Sequence, residues 1–69
     1  MQYTVIIEKE NKSYGAYVPD LPGCVAIAES ESEVIELIRE AIELHLESIL
    51  EDSLPIPQPK SKSLVLEVN

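Results

Sequence analysis

The pattern of apolar and polar positions predicts four short strands and one long helix in this chain. Alternation of apolar with polar residues, rich in β-branched side chains, is typical of strands that place one face on a core. The segments with this pattern, or with a short apolar run between turn residues, are residues 2–9, 14–18, 24–28 and 63–68. Polar residues 10–13 separate the first two segments, so we expect these strands to form a hairpin.

Between the third and fourth predicted strands, apolar residues recur at helical spacing. Ser30-x-x-Glu33 is a capping box, so we expect a helix from about Glu31 to about Glu51. Its apolar positions cover a wider arc than the core stripe of a simple surface helix. One part of this arc should lie on the sheet, which leaves a surplus at its margins for self-association. The surplus positions are Leu37, Leu44, Leu46 and Leu50.

Two proline-containing connections constrain how these elements are joined. Residues 19–23 (PDLPG) are too few for a crossover, so the third strand should run antiparallel to the second. Residues 54–59 (LPIPQP) cannot be helical and predict an extended connector. A right-handed crossover through the helix lets the last strand lie parallel to a central one. The sequence therefore predicts a single α+β domain over residues 1–69, ordered β-β-β-α-β, with a mixed four-stranded sheet and the helix on one face.

The short length of the chain favours self-association. A domain of 69 residues buries only about 60% of its unfolded surface. The single cysteine excludes an intramolecular disulfide, and one cysteine with one histidine cannot complete a structural zinc site. We therefore expect a homodimer or a higher oligomer to supply additional stability.

The formal net charge of −8 is concentrated in the helical region. From Glu29 to Asp52 the chain has nine acidic residues and one base, Arg39. This charge disfavours direct binding of nucleic acid and favours a basic partner. The polar face of the helix carries Glu36, Glu40, Glu43 and Glu47. The sequence contains neither a membrane-spanning run nor a secretory signal, so we expect a cytoplasmic protein without membrane association.

No arrangement typical of a catalytic site is found in the sequence. His45 falls near the middle of the apolar arc, where a hydrogen-bonded core or interface histidine is the favoured interpretation. A symmetric metal site built by His45 from two copies is the remaining alternative. Cys24 follows a turn without a sequence signal for an activating base, so we interpret it as a small buried residue. We predict that the chain is not an enzyme and binds no cofactor or metal.

The chain resembles the HicB antitoxin family at Y-V-P-D-L-P-G-C-V, at the helix A-I-E-L-H-L-E-S-I-L-E-D and at the connector P-I-P-Q-P. Its N-terminal Y-T-V-I-I-E-K and S-Y-G-A-Y segments fit as well, so the resemblance covers nearly the whole chain. It implies a partial RNase H-like fold and an antitoxin that masks the active-site histidine of a small basic ribonuclease toxin. Members of the family commonly carry a C-terminal DNA-binding domain. This chain ends at Asn69, so we expect no direct nucleic acid binding from it alone.

Two hypotheses about function follow. The first is a protein-binding module that neutralises a small basic, mRNA-cleaving HicA-type toxin by masking its active site. The alternative is a stand-alone homo-oligomeric structural or regulatory module without a toxin. The candidate contacts with a partner are Asp20, Leu21, Pro22, Glu36, Glu40, Glu43 and Glu47. The candidate contacts between copies are Leu37, Leu44, Leu46 and Leu50.

Overall fold

The protein folds as a three-stranded antiparallel sheet with one long helix on one face. The computed structural model describes residues 2–68. The elements are β1 (Ile6–Glu10), β2 (Ser13–Tyr17), β3 (Val25–Ala28) and α1 (Glu31–Glu51). The strands lie in the order β1-β2-β3, and each pair of neighbours is antiparallel. The predicted hairpin, the antiparallel third strand and the α+β class are confirmed.

The hairpin turn and the sheet register follow from local sequence. Asn11 has a φ of 47°, in the left-handed region that asparagine tolerates better than most residues. This turn pairs Ile7 with Ala16, and Ala16 in turn pairs with Ala26 on β3. The small side chains of these two alanines face the helix and let it approach the sheet closely.

Helix α1 begins where the capping box predicts. The hydroxyl of Ser30 accepts a hydrogen bond from the backbone N–H of Glu33 at 3.2 Å, and Glu31 and Glu33 lie at the positive end of the helix dipole. Val34 and Ile38 are buried on its inner face. Together with residues from β2 and the loop that follows it, they form the core. The buried residues of the core are Ala16, Val18, Leu21, Cys24, Val34 and Ile38.

The predicted fourth strand is not formed. Residues 63–68 lie outside any strand, so the sheet within residues 2–68 is three-stranded and antiparallel rather than mixed and four-stranded. Helix α1 packs against β2 and β3 in the described part of the chain, which leaves the β1 edge without a helix above it.

The helix ends in a Schellman motif that has serine at the position usually occupied by glycine. Ser53 donates its N–H to the carbonyl of Leu50 at 3.1 Å, and Leu54 donates to Ile49 at 3.0 Å. Ser53 has a φ of 57°, which is a left-handed conformation that costs a side-chain-bearing residue about 1–2 kcal/mol. The motif is complete, but its sequence is not optimal.

We therefore expect Ser53→Gly to stabilise the protein by about 0.5–1 kcal/mol, since glycine adopts this conformation without a steric penalty. Thermal unfolding followed by circular dichroism should show a rise in Tm of about 2–6 °C. Ser48→Gly is the matched control, because the same change within α1 should lower Tm. Equal decreases for both variants would contradict the role assigned to Ser53.

Candidate partner-binding surfaces

The loop of residues 19–23 is stabilised by backbone hydrogen bonds within the loop and to the residues beside it. Leu21 donates its N–H to Val18 at 3.0 Å, and Cys24 donates to Leu21 at 3.1 Å. These bonds turn the Leu21 side chain into the core, where its exposed fraction is 0%. The Leu21 side chain is therefore inaccessible in this fold, and its predicted contact with a partner stays a prediction. Pro22, next to it, is exposed.

Asp20 of the same loop binds the C-terminal connector. Its carboxylate accepts hydrogen bonds from the backbone N–H of Ser61 at 2.9 Å, the N–H of Lys60 at 3.0 Å and the hydroxyl of Ser61 at 3.1 Å. The pKa of the Asp20 carboxyl is lowered, chiefly because the Ser61 amide donates a hydrogen bond to its charged form. Desolvation acts in the opposite direction but is outweighed. The sequence predicts a partner contact at Asp20, whereas the structure gives it a clear intramolecular role.

Two further bonds fix the connector beside the N-terminal segment. The hydroxyl of Tyr3 donates to the carbonyl of Pro57, and the hydroxyl of Thr4 donates to the carbonyl of Ser61 at 2.8 Å. The connector therefore returns along the start of the chain, where these hydrogen bonds hold it.

Asp20 should make the attachment of the connector sensitive to pH. Because the folded-state pKa is lowered, the stabilisation is complete above the ordinary aspartate pKa of about 3.9 and is lost as the pH falls through the lowered value. We expect the amide resonance of Ser61 to titrate with Asp20 and the protection of this amide against hydrogen exchange to fall in acid. Asp20→Asn should abolish this titration, as measured by NMR.

Asp52→Asn removes the chain's other aspartate and is the matched control. This variant should leave the Ser61 titration unchanged. A Ser61 amide that titrates identically in both variants would show that Asp20 does not hold the connector.

An acidic stripe runs along the outer face of α1. We use this name for Glu36, Glu40, Glu43 and Glu47, which are all exposed. They recur every three or four residues, so the stripe extends about 16 Å along the helix. Arg39 is the one basic residue of α1, and the stripe carries strong negative charge. Its charge would attract a basic surface.

Leucines border the acidic stripe on both sides. Leu37 and Leu44 follow one margin and are exposed, with 64% of Leu44 accessible. Leu50 is exposed at the other margin, whereas Leu46 is partly buried and packs against the core. Three of the four leucines predicted to contact another copy are therefore accessible, and Leu46 also has a role within the fold.

The sheet has a second apolar surface on the face that points away from α1. Register places Ile6, Tyr17 and Val25 side by side on neighbouring strands, and Ile27 follows on β3. Val25 and Ile27 are largely exposed. We call these four residues the outer sheet face. They were not among the predicted site residues, although the apolar residues on both faces of the first and third predicted strands carried the signal.

Cys24 and His45, the side chains that could most readily take part in catalysis, are not arranged for it. Cys24 is buried, and desolvation raises the pKa of its thiol, which disfavours the reactive thiolate. His45 is partly buried on α1, in a shallow depression that it lines together with Cys24 and Leu44. Within residues 2–68 no three histidine, cysteine or acidic side chains are grouped as a metal site. None of the helical structure described there has the length and apolar character needed to cross a membrane.

Comparison with known proteins finds chains that are similar in sequence and in structure. Residues 3–67 match a family described as HicB-like antitoxin of bacterial toxin–antitoxin systems. In structure, the chain is similar to a chain of a HicA3 and HicB3 toxin–antitoxin complex. The TM-score is 0.71 at 27% identity, over 86% of this chain and 70% of the other.

Relatives in sequence occur in a phage, a bacterium and an archaeon. An uncharacterized 14.9 kDa protein of Haemophilus phage HP1 is 36% identical over 99% of this chain, which spans 59% of the phage protein. A UPF0150 protein of Synechocystis is 42% identical over 81% of this chain and 72% of its own length. A UPF0150 protein of Archaeoglobus fulgidus is 46% identical over 68% of this chain and 70% of its own length.

Proposed function

Because the chain belongs to the HicB-like antitoxin family, we propose that it binds a small basic HicA-type toxin and blocks mRNA cleavage by covering the toxin's active site. In this proposal the chain is a non-catalytic inhibitor that acts in the cytoplasm, where the toxin meets its substrate. The observation that carries the proposal is the acidic stripe of α1, bordered by exposed leucines.

The charge of the stripe suits a basic partner. A ribonuclease binds its substrate through phosphate contacts and therefore presents lysine and arginine around its active site. An acidic helix that offers carboxylates at regular spacing can compete for the same side chains. The bordering Leu44 and Leu50 would add apolar contact area, which charge alone does not supply.

The first test is co-expression with a HicA-type toxin from the same genome. We expect the toxin alone to arrest growth and the pair to grow normally and co-purify. If this chain covers the active site of the toxin, the chain and an RNA oligonucleotide should also compete for binding to the toxin. A ternary complex of toxin, RNA and chain would contradict covering while leaving the antitoxin role intact. Absence of both binding and rescue would contradict the proposal as a whole.

The second candidate function is a homo-oligomeric module without a toxin. The observation that favours it is the amount of apolar surface left uncovered, on the outer sheet face as well as on α1. This function would be favoured over the first if the chain forms a stable oligomer, does not bind the HicA-type protein and does not restore the growth of cells that express that protein.

A further inference from the structure

Strand β3 is an open edge of the sheet with a helix beside it. Within residues 2–68, β3 has β2 as its single strand neighbour. Every second residue of an antiparallel edge strand directs its N–H and C=O groups away from the sheet, where they can pair with another strand. Helix α1 packs against β3, so a strand added at this edge would have the helix next to its inward-facing side chains. The β3 edge therefore offers both free backbone groups and apolar cover.

An apolar depression adjoins the β3 edge. It has a volume of about 400 Å³ and lies between the start of β3 and the C-terminal half of α1. Its apolar walls are formed chiefly by Val25, Ala41, Leu44 and Ile49, and we call it the β3 groove. Val25 and Leu44 are 63% and 64% exposed at its rim. The groove can therefore take an apolar side chain of a strand that pairs with β3.

The charges around the β3 groove are acidic. Asp52 lies in its wall. On α1, Leu44 is the helical neighbour of Glu40 and Glu47, so the groove is continuous with the acidic stripe. Neither lysine nor arginine lines the groove within the part of the chain that the structure describes. An occupant of matching chemistry combines an apolar side chain with positive charge.

Two occupants that this protein could itself supply fit the β3 groove poorly. Residues 63–68 follow Ser61, whose carbonyl accepts a hydrogen bond from Thr4, just before β1. Strand β2 lies between β1 and β3, so this segment would have to cross β2, over about 10 Å, to reach the β3 edge. A second copy that paired β3 with β3 would set two acidic helices side by side, which the repulsion of like charges opposes.

We propose that an extended segment of the basic toxin pairs with β3 as an additional strand. An apolar side chain of this segment fills the β3 groove, and a lysine or arginine near it faces Glu40 or Glu47. This inference rests on the function proposed above and specifies how the toxin is held. Backbone pairing with β3 fixes the orientation of the toxin, while the apolar and charged contacts select its sequence.

Two leucine variants on the same margin of the acidic stripe test the groove. Leu44 lines the β3 groove, whereas Leu37, seven residues earlier on α1, does not. Both side chains are exposed. Leu44→Ala should weaken toxin binding by about 10–30-fold, and Leu37→Ala by less than about threefold, as measured by isothermal titration calorimetry. Equal effects of the two variants, or no effect of Leu44→Ala, would overturn the proposal.

Hydrogen exchange on the unaltered chain compares the two edges of the same sheet, with and without saturating toxin. The open amides of Val25–Ala28 should exchange at least about 10-fold more slowly in the complex, as measured by NMR. Those of Ile6–Glu10, at the opposite edge, are the internal control and should be unchanged. A complex that does not protect β3 would overturn strand pairing while leaving the antitoxin function intact. Absence of any complex would overturn the proposed function and this inference with it.

Discussion

Leu21→Ala is expected to leave a large fraction of the protein molecules unfolded at physiological temperature. The Leu21 side chain is completely buried, between the strand end at Val18 and the inner face of α1. Removing a buried leucine side chain to alanine costs about 2–5 kcal/mol, because the lost burial adds to the cavity left behind. A chain of this length has a total stability of roughly 3–10 kcal/mol. The substitution therefore removes a large fraction of it.

Leu44→Ala is the matched control, since it deletes the same atoms at a position that is 64% exposed. We expect its effect on the free energy of unfolding to stay within about 0.5 kcal/mol. Urea denaturation followed by circular dichroism measures both variants. The midpoint should fall sharply for Leu21→Ala and hardly move for Leu44→Ala. Comparable midpoints would mean that the loop does not contribute to the core as described.

The extent of the helix and the presence of the hairpin could be predicted from sequence because their signals are local, whereas the first strand begins at Ile6 rather than at residue 2. Ser30 and Glu33 are three residues apart, and the cap they form fixes the first turn of α1. Asn11 likewise adopts the left-handed backbone that the predicted turn requires. Within such short distances along the chain, residue type alone restricts the backbone to a few conformations.

The inward turn of the loop could not be predicted from the same kind of signal. Pro19 and Pro22 mark a break between strands, and loops on a sheet commonly lie at the surface. Whether Leu21 between them points in or out depends on the space left under α1, which no periodicity reveals. The role of Asp20 is non-local for the same reason, since its donors Lys60 and Ser61 lie 40 and 41 residues away.

The C-terminal segment shows the limit of pattern reading most clearly. Its alternation predicts a strand, but a strand also requires an open sheet edge beside which the segment can lie. In this fold residues 63–68 lie outside the sheet, and within residues 2–68 β1 pairs with β2 alone. A sequence pattern states which conformation a segment favours, and only the assembled fold determines where a partner strand is found.

Reversing the charge of the acidic stripe is expected to have the largest effect on toxin binding. The change is Glu36→Lys with Glu40→Lys and Glu47→Lys, which would present a basic helix face to the basic toxin that we propose as the partner. Like charges at an interface slow association and oppose docking, so the association rate should fall by about 10–1,000-fold at low salt. Stopped-flow or surface plasmon resonance measurements should show the deficit shrinking as salt is added. The same variant should also fail to restore the growth of cells that express the toxin.

The control reverses three acids away from the stripe: Glu8, Glu10 and Glu67. It changes the net charge by the same amount, so any difference between the two variants reflects where the charge lies rather than how much there is. Glu8 and Glu10 line a depression along β1 and the outer side of the sheet, beside Tyr17 and Val25. If this second variant alone lost toxin binding, the toxin would have to dock on the outer sheet face. Equal losses of toxin binding in both variants would show that the net charge of the chain causes the effect. The acidic stripe would then not be the binding site.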